Sequence, residues 1–337
     1  MLLKNLYLIS NDKIWLSKKK FTSNNDLNSI ISCLAKNYKI YLLNRKSKNK
    51  LSFPIKEKFT FLKVNKIEEK KINLLLVSIT PYNFLTLLKM IYFKNLKIKG
   101  YVYLRSDGFL EYKYRYGIFG YFLYYIMFKF IIKNLKILSC SKKFTNVNVK
   151  KIVHPSELNS MWFKNNRIQK KIKTDFLYVG RFKKDKGSIY LSDLFKNDFK
   201  NYKLTIVGTK KKNIDKKYYS KNISYIGAIS KIQNLIDIYD STKIFILPSY
   251  IEGFPKVISE SLARLKPIII FEDIKYVVNQ RDGIFVCKRN LVSLKKNIDY
   301  ISKNYKRIQN KINKNYFYTK ENFKNELLNY IQDELKY

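Results

Sequence analysis

Residues that usually carry chemistry are thinly spread in this chain. Asp and Glu together number 25 against 68 Lys and Arg, so the formal charge over 337 residues is +43. Only three cysteines occur, Cys33, Cys140 and Cys287. Odd in number and without paired spacing, they exclude a disulfide framework and a structural zinc site, and they fit a reducing compartment. The single histidine, His154, sits in VHPSE and reads as a satisfied or solvated loop residue. The ten glycines form neither G-x-G nor G-x-x-x-x-G-K, so dinucleotide and Walker-type phosphate loops are not supported. Asp-x-Asp is absent too, and with it a common metal-chelating signature; the expectation is a protein that uses no metal and no cofactor. The opening MLLKNLYLIS reads as a first strand, its apolar run being too short for a secretory signal, so the expected location is the cytoplasm.

The nine residues EGFPKVISE, Glu252 to Glu260, place two of the scarce carboxylates eight positions apart. The apolar run Ile244 to Leu247 precedes them, so the order reads strand, turn, helix. Gly253 lets a backbone approach a ligand closely, and Pro255 suits a first helical position. A helix beginning near Phe254 would aim N–H groups and a positive dipole end at a phosphate. Taken singly, Glu252 could equally be an acid complementing a helix dipole and Glu260 an exposed helical residue.

A second phosphate-handling element is legible upstream. Phe176 to Val179 is a β-rich apolar run ending in Gly180-Arg181, with Lys186-Gly187 after a charged turn. Arg181 and Lys186 thereby project from the carboxyl end of a strand, where open α/β sheets bind ligands.

These segments resemble the retaining GT-B glycosyltransferases, in particular glycosyltransferase family 4, whose signature is two glutamates separated by seven residues. FLYVGRFKKDKGSIYL, YKLTIVG, ISYIGAIS, KIFILPSYIEGFPKVISESLARLKPIII and RDGIFVCKRN follow in the family's order, over roughly residues 150 to 337. The resemblance implies two Rossmann-like, doubly wound parallel-sheet α/β domains facing across a cleft. It implies transfer of a hexose-like sugar from a nucleoside diphosphate to a glycan or lipid-linked glycan acceptor, as in cell-surface polysaccharide assembly. Arg181 and Lys186 would neutralise the departing diphosphate, Glu252 would hold donor-sugar hydroxyls and Glu260 ribose hydroxyls, with Gly180, Gly253, Phe254 and Pro255 lining the donor pocket. Other readings remain: a sugar-nucleotide hydrolase or epimerase of the same fold, or a basic polyanion-binding scaffold with an inactive cleft.

Strand-like and helix-like patterns alternate along the chain, which predicts largely parallel sheets. The expected domains are 1–165 for the acceptor and 174–312 for the donor, with 313–337 a helix packing back toward the first. The first half departs from the family pattern: its first strand runs into Ser10-Asn11-Asp12, and Arg105-Ser106-Asp107-Gly108 stands where many relatives carry a histidine. Asp107 is thus a candidate for the acceptor cleft, although an Asp before Gly is also an ordinary turn residue.

Tyr116 to Ile132 reads YGIFGYFLYYIMFKFII, with Lys113, Arg115, Lys133 and Lys136 around it. A buried helix, a helix lying in a bilayer interface and a short span all fit such a run. Together with the net charge it leads us to expect attachment to the inner face of an anionic membrane and no specific nucleic acid partner. A duller source of charge competes, because Lys, Asn, Ile and Tyr all have A/T-rich codons.

Overall fold

The computed structural model describes residues 3–17, 20–142, 144, 149, 151–165 and 171–335. The chain divides into two compact units, Met1–Glu157 with Lys320–Tyr337, and Leu158–Thr319.

In the first unit the strands are β1 (Lys4–Ser10), β2 (Lys13–Ser17), β3 (Lys20–Ser23), β4 (Tyr38–Leu42), β5 (Arg45–Lys46), β6 (Phe53–Ile55), β7 (Thr60–Phe61), β8 (Lys71–Val77), β9 (Lys97–Leu104) and β10 (Lys136–Ser139). Six of them form an all-parallel sheet in the order β10-β9-β8-β1-β4-β7. The other four make a small mixed sheet, β5-β2-β3-β6, that the polar stretch after the first strand did not announce. Asn24 caps α1 (Asn25–Leu34) by accepting from the Leu27 N–H, and Thr80 caps α2 (Pro81–Leu88), where Pro81 at the helix start lacks only an N–H that would go unpaired there. The helix α3 (Gly108–Asn134) contains the long apolar run and is interrupted at Gly117, whose φ of 65° few other residues tolerate.

That helix is two-sided. Tyr124, Met127, Phe128 and Ile131 are buried in the core, whereas Ile118, Phe119, Phe122 and Ile126 are exposed. Among the described residues no helix is long and apolar enough to cross a membrane. The C-terminal helix Lys320–Leu335 completes this unit, burying Phe323, Leu327, Leu328 and Ile331. Phe323 stacks on Tyr103 of β9, and Glu326 accepts from the His154 backbone N–H at 2.7 Å and lies 3.0 Å from its Nδ1. The histidine is therefore a satisfied structural residue.

The second unit is built on β11 (Thr174–Val179), β12 (Leu204–Val207), β13 (Ile223–Ile226), β14 (Thr242–Leu247), β15 (Ile268–Phe271) and β16 (Ile284–Cys287). They form another all-parallel sheet, β13-β12-β11-β14-β15-β16. Its central strands read as continuous apolar runs because helices cover both faces. Those helices are α4 (Ser188–Asn197), α5 (Ile232–Asp240), α6 (Lys256–Ala263), α7 (Leu291–Lys303) and α8 (Tyr305–Ile312).

The division after Glu157 falls earlier than residue 165, the boundary read from composition. Leu158 and Trp162 belong to the second unit's core, and the buried Arg264 guanidinium explains the difference. It pairs with both oxygens of Asp240, at 2.7 and 2.9 Å, and donates to the carbonyls of Trp162 and Lys164, at 2.8 Å each. Residues 166–170, part of the gap between the two expected domains, lie outside the described residues. Likewise residues 313–319 go with the second unit, and only the helix from Lys320 joins the first.

Candidate active site

The two motif segments meet at the carboxyl edge of the second sheet. β11 ends at Val179, and the Gly180 N–H still donates to the Val207 carbonyl of neighbouring β12 before the chain turns away. Tyr178 reaches past the strand end, its hydroxyl donating to the Arg181 carbonyl at 3.0 Å, and burial pushes its phenol well above the usual range. The turn is closed by Ser188, whose Oγ accepts from the Lys183 N–H at 2.8 Å. Gly187 then starts α4 in the left-handed region, at φ 66°, with the Pro248 carbonyl so close that a Cβ would lie 1.9 Å from its oxygen. Only glycine lets these two loops approach so closely.

Lys186 and Glu252 are joined by this approach. The Lys186 Nζ lies 2.9 Å from Glu252 Oε1, and both side chains are largely buried, with 21% and 11% of their surface exposed. Ser249 Oγ donates to the same carboxylate oxygen at 2.6 Å, and the Tyr250 N–H donates to the Asp185 carbonyl at 3.0 Å. Arg181 is exposed at the edge, one residue after Gly180. Thus the basic element read from VGRFKKDKG and the acidic one read from EGFPKVISE form one constellation, with Lys186 and Glu252 in direct contact.

Two residues that the sequence reading assigned no role hold this arrangement in place. Arg289 lies two residues beyond the end of β16, at the same edge of the sheet, and its NH1 and NH2 donate to the carbonyls of Pro248 and Ser249 at 3.0 and 3.3 Å. Its guanidinium stacks against Tyr250, 3.9 Å from the ring centroid, and against Phe271 at 4.3 Å, and it pairs with Asp273 at 2.7 Å. The signal was present in RDGIFVCKRN, as an arginine just past a strand's carboxyl end. Tyr276 brackets the Glu252 backbone, accepting from its N–H at 3.0 Å and donating to its carbonyl at 2.6 Å. Nothing in the sequence pattern marked it.

The helix after the loop starts slightly later than expected. α6 begins at Lys256, and Pro255 is its N-cap with ψ 98°, not its first helical residue, because the chain is still extended there. No side chain caps this end, which leaves the dipole facing the Gly253-Phe254-Pro255 loop. Glu260 occupies the second turn of α6, as expected, but is 8% exposed and accepts from the buried Tyr239 hydroxyl at 3.0 Å. Asp107, in the first unit, is the N-cap of α3 and accepts from the Leu110 N–H at 3.1 Å. That capping bond accounts for the carboxylate without a substrate, and burial raises its pKa.

This edge of the sheet offers a cationic pair for a diphosphate, a carboxylate for hydroxyls and an uncapped helix end. Residues 162–318, which contain all of it, match the family model described as glycosyl transferases group 1. That match takes in nearly all of the second unit, 157 of the chain's 337 residues.

The chain is 27% identical over 173 residues to an uncharacterised glycosyltransferase of Haemophilus influenzae, covering 48% of each chain. It is 29% identical over 172 residues to the N,N'-diacetylbacillosaminyl-diphospho-undecaprenol alpha-1,3-N-acetylgalactosaminyltransferase of Campylobacter jejuni, covering 48% of this chain and 44% of that one. The alignments therefore span about half the length of these curated relatives. Among solved structures, Anabaena Alr3699/HepE, crystallised with UDP and glucose, is similar over 98% of this chain and 99% of its own, at a TM-score of 0.66 and 10% identity. At that identity the likeness is one of fold, and it agrees with the two parallel-sheet units of the GT-B architecture.

Proposed function

We propose that this protein transfers a hexose-like sugar from a nucleoside diphosphate donor to a lipid-linked glycan, with retention of configuration and without a metal ion, at the inner face of a membrane. The observation that carries the proposal is the Lys186–Glu252 contact, which sets a phosphate-binding cation against a hydroxyl-binding carboxylate at the carboxyl edge of a parallel sheet. In the free protein each neutralises the other. A donor diphosphate would draw Lys186 away from Glu252, leaving the carboxylate to accept from sugar hydroxyls while Ser249 and Tyr276 keep it in place. Arg181, exposed beside them, would supply the second positive charge.

As the bond to the anomeric carbon breaks, negative charge grows on the leaving phosphate, and Arg181 and Lys186 would stabilise it as it develops. The acceptor hydroxyl would attack from the face the diphosphate leaves and pass its proton to a phosphate oxygen, so no protein nucleophile is needed. Glu260 would serve the ribose, exchanging its bond from Tyr239. A lipid-diphosphate acceptor agrees with the substrate named for the Campylobacter relative. The exposed apolar side of α3 and the charge of +43 favour attachment to an anionic membrane.

A panel of nucleoside diphosphate sugars read by thermal shift and diphosphate release tests the proposal, since a ligand that binds only the folded state raises its stability. One donor should raise the melting temperature and be turned over in excess chelator. If no sugar nucleotide moves the melting curve, the transferase reading fails. Activity abolished by chelator and restored by a divalent ion would overturn the metal-free step alone.

A further inference from the structure

A cavity of about 590 Å³ opens in the first unit, where β4 runs into Leu43 and β7 into Leu62, again at the carboxyl edge of a parallel sheet. Its size lies within the range of about 300–1,000 Å³ usual for small-molecule sites. The wall is apolar, formed largely by Leu43, Phe61, Leu62, Val64, Tyr82 and Phe93. Tyr82 presents its ring, because its hydroxyl is spent on the Leu43 carbonyl at 2.8 Å. Four lysines, Lys46, Lys63, Lys89 and Lys94, also line the cavity, and among the described residues no carboxylate does. Asn44 lines it as well: its Nδ2 donates to the Asp12 carbonyl, while its buried Oδ1 has no hydrogen-bond partner among the described residues.

An apolar wall with a cationic rim suits neither a sugar nucleotide, whose hydroxyls call for carboxylates, nor a bare anion, which leaves the wall unfilled. It suits an amphiphile with a phosphate head. The surroundings indicate how such a molecule would arrive. Phe93, which lines the cavity, and its chain neighbour Tyr92 are exposed, at 84% and 69%, and the Tyr92 ring centroid lies 6.2 Å from that of Phe130 on α3. From Phe130 the exposed residues Ile126, Phe122 and Ile118 continue at four-residue intervals, which places them along one helix face. A contiguous apolar strip of this kind is uncommon on a freely soluble surface. Lys129 and Lys133 on the same helix add the charge that holds such a strip to anionic headgroups.

We propose that the cavity seats the first part of the hydrocarbon chain of a membrane lipid phosphate, with Lys63 and Lys89 holding the phosphate and the α3 strip lying in the bilayer interface. This rests on the reading of the acceptor as lipid-borne, and it assigns the acceptor's anchor to named residues of the first unit.

The test is vesicle flotation of the full chain at physiological salt. Neutral phosphatidylcholine vesicles carrying a polyprenyl phosphate are compared with vesicles carrying phosphatidylglycerol at equal surface charge. The parent protein should prefer the polyprenyl phosphate by about tenfold, or ~1.4 kcal/mol. Lys63→Glu/Lys89→Glu, both exposed positions, should lose that preference while keeping the parent's melting temperature and its donor-induced thermal shift. Val64→Trp, which fills the cavity and leaves the lysines, should lose it as well. Equal binding of both vesicle types by the parent, or a preference that survives in the lysine variant, overturns the proposal. Free inorganic pyrophosphate competing as well as the lipid would reduce the site to an anion site and overturn the seat for the chain. In the parent, equal binding of the two vesicle types with the donor shift intact sinks the cavity assignment alone, whereas a clear preference without any donor shift sinks the transferase reading alone.

Discussion

Replacing Lys186 with Met separates its two roles, one in holding the loop and one in the reaction. The ammonium sits 2.9 Å from Glu252 Oε1, and removing it leaves a carboxylate 11% exposed with, among the described residues, only Ser249 Oγ donating to that oxygen. Breaking a fully buried pair costs about 3–5 kcal/mol, and the 21% exposure of Lys186 lowers the expected cost to roughly 2 kcal/mol. Glu252→Gln in the same chain removes the stranded charge. The double variant should therefore recover most of that stability, giving a coupling energy of about 1–2 kcal/mol in a double-mutant cycle. Turnover should not recover. Losing one group that stabilises developing charge costs about 100-fold in rate, or ~2.7 kcal/mol, and stays lost when the carboxylate is neutralised. Urea denaturation and initial rates of diphosphate release, measured on all four proteins of the cycle, give both quantities. Wild-type turnover in Lys186→Met, or strict additivity of the two stability losses, would refute the reasoning.

Arg289→Ala should destabilise the second unit by about 2–3 kcal/mol, since two carbonyl acceptors and an aromatic stacking arrangement lose their cation. The same change should weaken the donor-induced thermal shift, and Arg289→Lys should restore little of either; a donor shift unchanged in both variants would deny it a positioning role. Lys266 gives a pH signature. Burial pushes its ammonium down to about 8 from an ordinary 10.5, so between those values the unfolded chain binds the extra proton and stability rises with pH, by about 3 kcal/mol in all. In Lys266→Met that rise should be missing, and parallel stability profiles of parent and variant from pH 7 to 10.5 would contradict it.

The sheets were readable because their central strands are apolar on both faces. Ile244 to Leu247 and Phe176 to Val179 leave few alternatives to buried parallel strands, and the motif glutamates and basic residues follow those strands directly. The small mixed sheet was not readable: KIWLS and KFTS are short, carry lysines and gain their identity only by pairing with each other and with Phe53–Ile55. The two-sidedness of α3 was hidden for the opposite reason, since apolar residues occupy every face of Tyr116 to Ile132 and only packing decides which of them are covered. Contacts such as Arg289 with Pro248, or Tyr276 with Glu252, join residues 24 to 41 positions apart and follow no local periodicity. α6 starts two residues after the expected Phe254 because Pro255 is compatible with either a cap or a first turn.

The first unit is discontinuous in sequence, and this sets an order on the ribosome. Its sheet is made early, but Phe323, Leu327, Leu328 and Ile331, which complete its core, are encoded only after the whole of the second unit. At about 5–20 residues per second the early part waits roughly ten to forty seconds for its last helix, with the ground that helix will cover on α1 and β9 still open. The second unit, contiguous from Leu158 to Thr319, faces no such delay. Although it is synthesised later, it is the unit able to fold first, and the N-terminal one depends on whatever shields its unfinished face in the interval.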